Sequence, residues 1–193
     1  MNIKSLKTIR EIIVRNMVIV KYNKKWPDDF LKIKELLQKV LTVQYEVQHV
    51  GSTSIPGMKA KPIIDIDVGL DNWADFETVK KALAEIGYEH EGDKGITGRE
   101  AFCRDGKVHN EILDNIDHHL YVCSVDNEEY KRHILFRDYL RSHDEARDRY
   151  NQIKEEILAK VGPENRAGYV QMKEDNYRDF FEKIIGKAKA LYK

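Results

Sequence analysis

The chain has 193 residues, 34% of them charged and 41% hydrophobic, with 33 Lys and Arg against 33 Asp and Glu. That length suits a globular domain with its own core, and the composition is that of a folded chain, not a disordered one. Zero net charge excludes the basic excess of a general nucleic-acid or membrane-surface binder.

The opening MNIKSLKTIREIIVRN holds an apolar run too short for a signal-peptide core, and no run reaches the length of a membrane span. The two cysteines, Cys103 and Cys123, lie outside any C-x-x-C pair, so zinc is not expected. A cytoplasmic protein with reduced thiols and no membrane partner is the default expectation. Residues 1–16 are taken as an N-terminal arm or short helix, and 17–193 as one domain, with a sheet core to about 125 and a helical part from 126.

MVIVKY (Met17–Tyr22) has the Val and Ile content of a strand. WPDDFLKIKELLQKVL predicts a helix, with Phe30, Ile33, Leu36, Leu37 and Val40 at helical spacing. Pro27 suits its first turn, and Asp28 and Asp29 suit the positive end of its dipole. TVQYEVQHV predicts a strand running into Gly51, and PIIDIDVGL another. DNWADFETVKKALAEIGYE predicts a helix with an Asp or Asn cap and Gly87 as its stop. REAFCRD and VHNEIL predict a hairpin about Asp105 and Gly106. HHLYVCSV predicts a further strand. Two or three helices follow from Asp126, with breaks near Ser142 and His143 and at VGPENRAGY. Strands and helices in front with helices behind favour an α+β fold with a mixed sheet.

Strand side chains alternate, so Asp65 and Asp67 share one face while Ile64, Ile66 and Val68 share the other. Two carboxylates this close raise one pKa unless a cation lies between them, and hard oxygen ligands favour Mg²⁺ or Mn²⁺. Upstream, Gly51 permits close approach of a ligand to the backbone. Ser52, Thr53 and Ser54 offer hydroxyls beside backbone N–H groups, and Lys61 adds positive charge. A phosphate cradle beside a two-carboxylate metal site is what phosphoryl or nucleotidyl transfer requires. D-x-D alone also suits a solvated edge strand. Gly-Ser, a twelve-residue gap and h-D-h-D-h together are more specific.

That combination resembles the signature of the nucleotidyltransferase superfamily, with its DNA polymerase β-like fold. More closely, HVGSTSIPGMKAKPIIDIDV is similar to the GrpB-like family, whose members read near EHIGSTSVPGLAAKPIIDILV. YNKKWPDDF, HHLYVC, HILFRDYLRSHDEARDRYNQIKEEI and YVQMKEDNYRDFFEKI resemble further family segments in the same order, from about Met17 to Ile185. The resemblance implies a mixed sheet of nucleotidyltransferase type with flanking helices and a helical C-terminal half. It implies Mg²⁺ (or Mn²⁺) on Asp65 and Asp67, with a nucleotide or phosphorylated small molecule as ligand. Some members are fused to a dephospho-CoA kinase domain, which points toward coenzyme A metabolism; this chain carries no kinase P-loop.

Arg137 and Arg141 stand at i, i+4, a spacing that grips phosphate bidentately or simply joins a solvated net of ion pairs. The resemblance makes both ligand-contact candidates, along with Tyr169 and Lys173. Trp26 is expected in the core. Active superfamily members place a third carboxylate on a neighbouring strand, here IDHHLYVC. This chain has Tyr121 where the family has His, and Gln48 where it often has Glu. Three readings stay open: His119 replaces the acid as base or metal ligand, Asp117 or Glu111 reaches in, or the pocket binds its ligand without turnover. The expected function is metal-dependent transfer of a nucleotidyl group from an NTP. The alternative is a non-catalytic nucleotide- or phosphometabolite-binding protein.

Overall fold

A computed structural model describes residues 19–104 and 106–192. The expected arm at 1–16 lies outside the described residues, as do Met17 and Val18 of the expected first strand. Helix α1 (Trp26–Val40) has proline in its first turn and buries Trp26, Phe30, Ile33 and Leu37 at helical spacing. Strand β1 (Tyr45–Val50) leads through a 3₁₀ turn at Ser52–Ser54 into β2 (Ile64–Leu70). Asn72 caps a short turn by accepting from the Ala74 N–H, and α2 (Phe76–Glu85) follows. Then come β3 (Tyr88–Gly92), β4 (Arg99–Arg104), α3 (Glu111–Asn115) and β5 (His118–Ser124). Three helices complete the described chain: α4 (Glu128–Ser142), α5 (Asp144–Val161) and α6 (Arg166–Leu191).

The five strands lie in the order β1-β2-β5-β4-β3. β2 and β5 are parallel, and the other neighbours are antiparallel, so the sheet is mixed as expected. Its apolar face carries Val47, Ile64, Ile66, Val68, Leu120, Val122 and Phe102, and packs on α1 and α2 through Ile33, Leu37, Val79 and Leu83. A second core joins α4, α5 and α6 to Ile55 and Met58, just beyond the turn after β1. No helix among the described residues is long and apolar enough to cross a membrane.

Three expectations need correction. VHNEIL is no strand: the Asn110 side chain accepts from the N–H groups of Ile112 and Leu113 and starts α3. β4 pairs instead with β5 and with β3, an edge strand hidden in the polar sequence YEHEG and wrongly absorbed into the preceding helix. Helix α2 begins only at Phe76, after a 3₁₀ turn at Trp73–Asp75, and ends at Glu85 with Gly87 as its stop, as expected, at φ 86°. Of the Met17–Tyr22 segment, the described part makes one isolated bridge, Val20 to Ala60.

Helix α4 rides on the other, polar face of the sheet. Gly69 makes this possible: a Cβ there would lie 2.6 Å from the Tyr130 ring, and the Tyr130 hydroxyl donates to Glu46 at 3.0 Å. Gly69→Ala forces that ring off the sheet and is expected to cost about 1–3 kcal/mol by chemical denaturation. An unchanged denaturation midpoint would show that α4 is not seated on Gly69.

Candidate functional site

The polar face of the sheet holds both aspartates, as period two requires. Asp65 is in register with His119 and Asp67 with Tyr121 across the parallel β2–β5 pair. Asp65 is about one-third exposed, whereas Asp67 is fully buried. Each carboxylate faces an imidazole. His119 Nδ1 lies 2.9 Å from Asp65 Oδ1, and His133 Nδ1 of α4 lies 2.6 Å from Asp67 Oδ2. Burial opposes a charge on His133, but its hydrogen bond to Asp67 and that carboxylate's charge outweigh burial and raise its pKa. The second oxygen, Asp67 Oδ1, is buried with no hydrogen-bond partner. A buried carboxylate oxygen left bare is costly unless a cation or donor reaches it.

Gly51 turns the chain at φ 67°, and a Cβ there would come within 2.2 Å of Asp65 Oδ2. Only glycine meets both conditions, so the turn presses its backbone onto the carboxylate. Ser54 Oγ donates to the Gly51 carbonyl at 2.7 Å, and Thr53 Oγ1 pairs with His49 Nε2 at 3.0 Å. Both hydroxyls point inward and hold the turn. Ser52 alone presents its hydroxyl to the ligand side, where it accepts from Lys154 Nζ at 2.8 Å. Arg141 donates twice to the Ser54 carbonyl, at 3.0 and 2.8 Å. Arg137 donates to Gln48 Oε1 at 2.7 Å and to the His49 carbonyl, and forks onto Asp138. The two candidate arginines therefore brace the turn and β1 with donors already engaged.

Below the turn lies a cleft of about 210 Å³ lined by Ser52, Lys61, Asp65, His119, Tyr169 and Lys173. Lys154 of α5 also lines it, 2% exposed, with its ammonium 4.2 Å over the Tyr150 ring. Burial, then the nearby Lys173, push the Lys154 pKa well below its ordinary value, against the pull of Asp65. Lys61 shifts the same way, through burial and then the charge of Arg166. Among the described residues no carboxylate forms an ion pair with Lys61, Lys154 or Lys173. A second cleft of about 560 Å³, between α4 and α6, opens on the same Gly51 and Asp65 and is lined by His133, Phe136 and Phe181.

Neither alternative acid enters: Glu111 and Asp117 are both exposed, ahead of β5, and Tyr121 stands beside Asp67. Trp26 is in the core, edge-on to Tyr22. His133 and Lys154 were missed. Their signal was a polar residue on an apolar stripe: Lys154 falls among Tyr150, Ile153 and Ile157 on α5, and His133 falls between Tyr130 and Leu140 on α4.

The donor set fits a hard divalent cation. No cluster of three or more His, Cys, Asp or Glu side chains is placed to hold a metal among the described residues. Two carboxylates, one with a bare oxygen, are the hard oxygen donors that such a cation would meet here.

Residues 16–185 match the GrpB protein family. The chain is 31% identical over 171 residues to the glutamate-rich protein GrpB of Alkalihalophilus pseudofirmus, covering 88% of this chain and 94% of that protein. It is 33% identical over 162 residues to YqkA of Bacillus subtilis, covering 83% of this chain but only 45% of that longer relative. The crystal structure of a conserved protein GrpB from Enterococcus faecalis is similar with a TM-score of 0.73 and 30% identity, over 91% of this chain and 99% of that one. The Cid1 poly(U) polymerase, solved with MgGTP bound, has a TM-score of 0.50 at 14% identity, over 83% of this chain and 49% of that one. The fold is thus a mixed-sheet α+β fold of nucleotidyltransferase type.

His49, beneath the turn, is stacked on Phe30 at 4.7 Å. Burial, followed by the charges of Arg141 and Arg137, lowers its pKa from 6.5 to about 4, against the pull of Asp65. The unfolded chain takes a proton below pH 6.5 that the folded chain refuses until about 4, so stability falls as pH drops through that window. The loss reaches about 3 kcal/mol at most. His49→Gln is expected to flatten the slope of stability against pH by one proton, measured by denaturation at pH values across the window. An unchanged slope would show that His49 titrates normally in the fold.

Proposed function

The chain belongs to the GrpB protein family, and from that premise we propose that it transfers a nucleotidyl group from a nucleoside triphosphate to a hydroxyl acceptor. One observation carries the reading: the bare Asp67 Oδ1 lies on the same sheet face as a cleft whose three lysines have no carboxylate partner among the described residues. A carboxylate wanting a cation beside cations wanting anions is the charge pattern of a site for a metal-bound polyphosphate. The nucleotidyltransferase-type fold, shared with a polymerase solved with MgGTP, supports it.

In this reading the backbone of the Ser52–Ser54 turn, with Ser52, Lys61, Lys154 and Lys173, holds the phosphates. The cleft between α4 and α6 receives the nucleoside, with Phe136 and Phe181 as aromatic walls. Mg²⁺ or Mn²⁺ would be held by Asp65 and Asp67 and would supply positive charge to the triphosphate. Tyr169 shapes the cleft wall, and Arg137 and Arg141 position the turn.

His119 takes the role of the missing acid. With Nδ1–H donated to Asp65, the imidazole keeps a lone pair on Nε2. The acceptor hydroxyl gives its proton to Nε2, and its oxygen forms a bond to the α-phosphorus. The bond from that phosphorus to the bridging oxygen breaks, and pyrophosphate leaves with the electron pair. A second reading, ligand binding without turnover, is favoured by one fact: Tyr121, not a carboxylate, stands next to Asp67.

The test is pyrophosphate release from NTPs with Mg²⁺ or Mn²⁺, using a low-mass cell extract as acceptor pool. Asp65→Asn and Asp67→Asn are each expected to lower the rate by roughly 100-fold or more. Lys154→Met is expected to keep the ligand-free melting temperature and lose the shift caused by a non-hydrolysable NTP with Mg²⁺. Turnover untouched in the double aspartate variant would sink the catalytic assignment. A Mg–NTP melting shift with no pyrophosphate release would leave the binding reading in its place.

A further inference from the structure

The polar sheet face does not end at Tyr121. It continues onto β4, where Arg99 and Ala101 face the same way, and there it floors a separate cleft of about 580 Å³. His119 lines both this cleft and the lysine cleft, so the two meet at that imidazole.

Arg99 differs from the other cations of the cleft in its lack of an ion pair. Its guanidinium lies over the Tyr121 ring at 4.1 Å, and its Nε, like that of Arg104, is buried with no hydrogen-bond partner. The other arginine and the lysine of the cleft are paired, Arg104 with Asp114 at 2.6 Å and Lys94 with Glu91 at 2.9 Å. Among the described residues no ion pair includes Arg99. A buried donor without an acceptor is destabilising, and a flat guanidinium with free donors is shaped for carboxylate or phosphate. Stacking on Tyr121 holds the group in place, so little side-chain freedom is lost when an anion arrives.

We propose that this cleft is the acceptor subsite, taking a small hydroxylated molecule whose single carboxylate or phosphate group is held by Arg99; the inference rests on the nucleotidyl-transfer reading. Tyr121 and His119 are two residues apart on β5, about 7 Å along a strand. A small molecule anchored over Tyr121 spans that gap and brings its hydroxyl to His119 Nε2. The triphosphate, on its lysines, reaches the same imidazole from the other cleft. The formal charges lining the acceptor cleft cancel, with Lys94, Arg99 and Arg104 against Glu91, Asp114 and Asp117. A balanced rim with one cation outside any ion pair among the described residues fits one anionic group and not a run of phosphates, which calls for a positive stripe.

The experiment titrates inorganic phosphate, and acetate in parallel, into the full chain labelled with ¹⁵N-arginine. The Arg99 Nε–H resonance, assigned by Arg99→Gln, is the readout. Saturable shifts are expected in the wild type and equally in Lys154→Met, because the two clefts bind independently. In Arg99→Gln, followed by the Arg104 Nε–H resonance of the same cleft, phosphate binding is expected to weaken roughly tenfold or more. An Arg99 resonance that ignores both anions overturns the proposal, even where NTP turnover depends on Asp65 and Asp67. Saturable binding in a chain with no NTP turnover overturns the subsite's role in transfer and leaves an anion site. A short oligouridylate that displaces phosphate from Arg99 at lower concentration overturns the small acceptor in favour of RNA.

Discussion

Everything at this site follows from placing a carboxylate where water cannot reach it. Asp67 is fully buried on an interior strand of the sheet, and its charge has to be matched from within the protein. His133 matches one oxygen, which brings α4 down onto the polar face. Gly69 clears the room for that helix, and Tyr130 and Arg137 fasten it to β1. The other oxygen is left bare. The helical half is thus the second wall of a site whose first wall is the sheet, and not an appendage to it.

The electrostatics divide into two zones. Around the aspartates the need is for positive charge; beneath the turn, three lysines that form no carboxylate ion pair among the described residues offer donors to an anion. Burial keeps Lys154 from holding its proton as an ordinary lysine does, and the carbonyl of Lys59 and the hydroxyl of Ser52 accept from it. Asp65 lines the same cleft as the lysines and its charge acts on Lys61 and Lys154, yet it forms an ion pair with neither. The proposed ligand, a polyphosphate with a divalent cation, would satisfy both at once. The relatives place the chain in a family with bacterial members, and the likeness to a polymerase adds the fold alone.

The periodic parts of the structure were legible in the sequence. Alternation put Asp65 and Asp67 on one face and the isoleucines on the other, helical spacing found α1, and three helices stand where two or three were expected. The failures have local causes. YEHEG looks polar because β3 is an edge strand with exposed glutamates, and VHNEIL looked extended because the decisive bond is a side-chain cap at Asn110. At the site, spacing showed that Arg137 and Arg141 share a helix face, but their donors go to β1 and to the Ser54 carbonyl. Where those acceptors sit is decided by packing nearly ninety residues away in sequence, which no local pattern carries. His133 and Lys154 were visible as polar residues on apolar stripes; their meaning needed the sheet face beneath them.

The turn that opens the site is only a few residues long, yet its anchors come late in the chain. Arg141 reaches Ser54 across a sequence separation of 87, and Lys154 reaches Ser52 across 102. A ribosome that has released the whole sheet has still not released Lys154. The nascent chain therefore carries its aspartates and its turn for several seconds, at about 5–20 residues per second, before the parts that shape them emerge. Contacts this distant form only after the intervening loop has closed, so the site is among the last features the folding chain completes. A chain cut after the sheet would keep every residue of the Gly-Ser and Asp-x-Asp signature and lack the pocket they form.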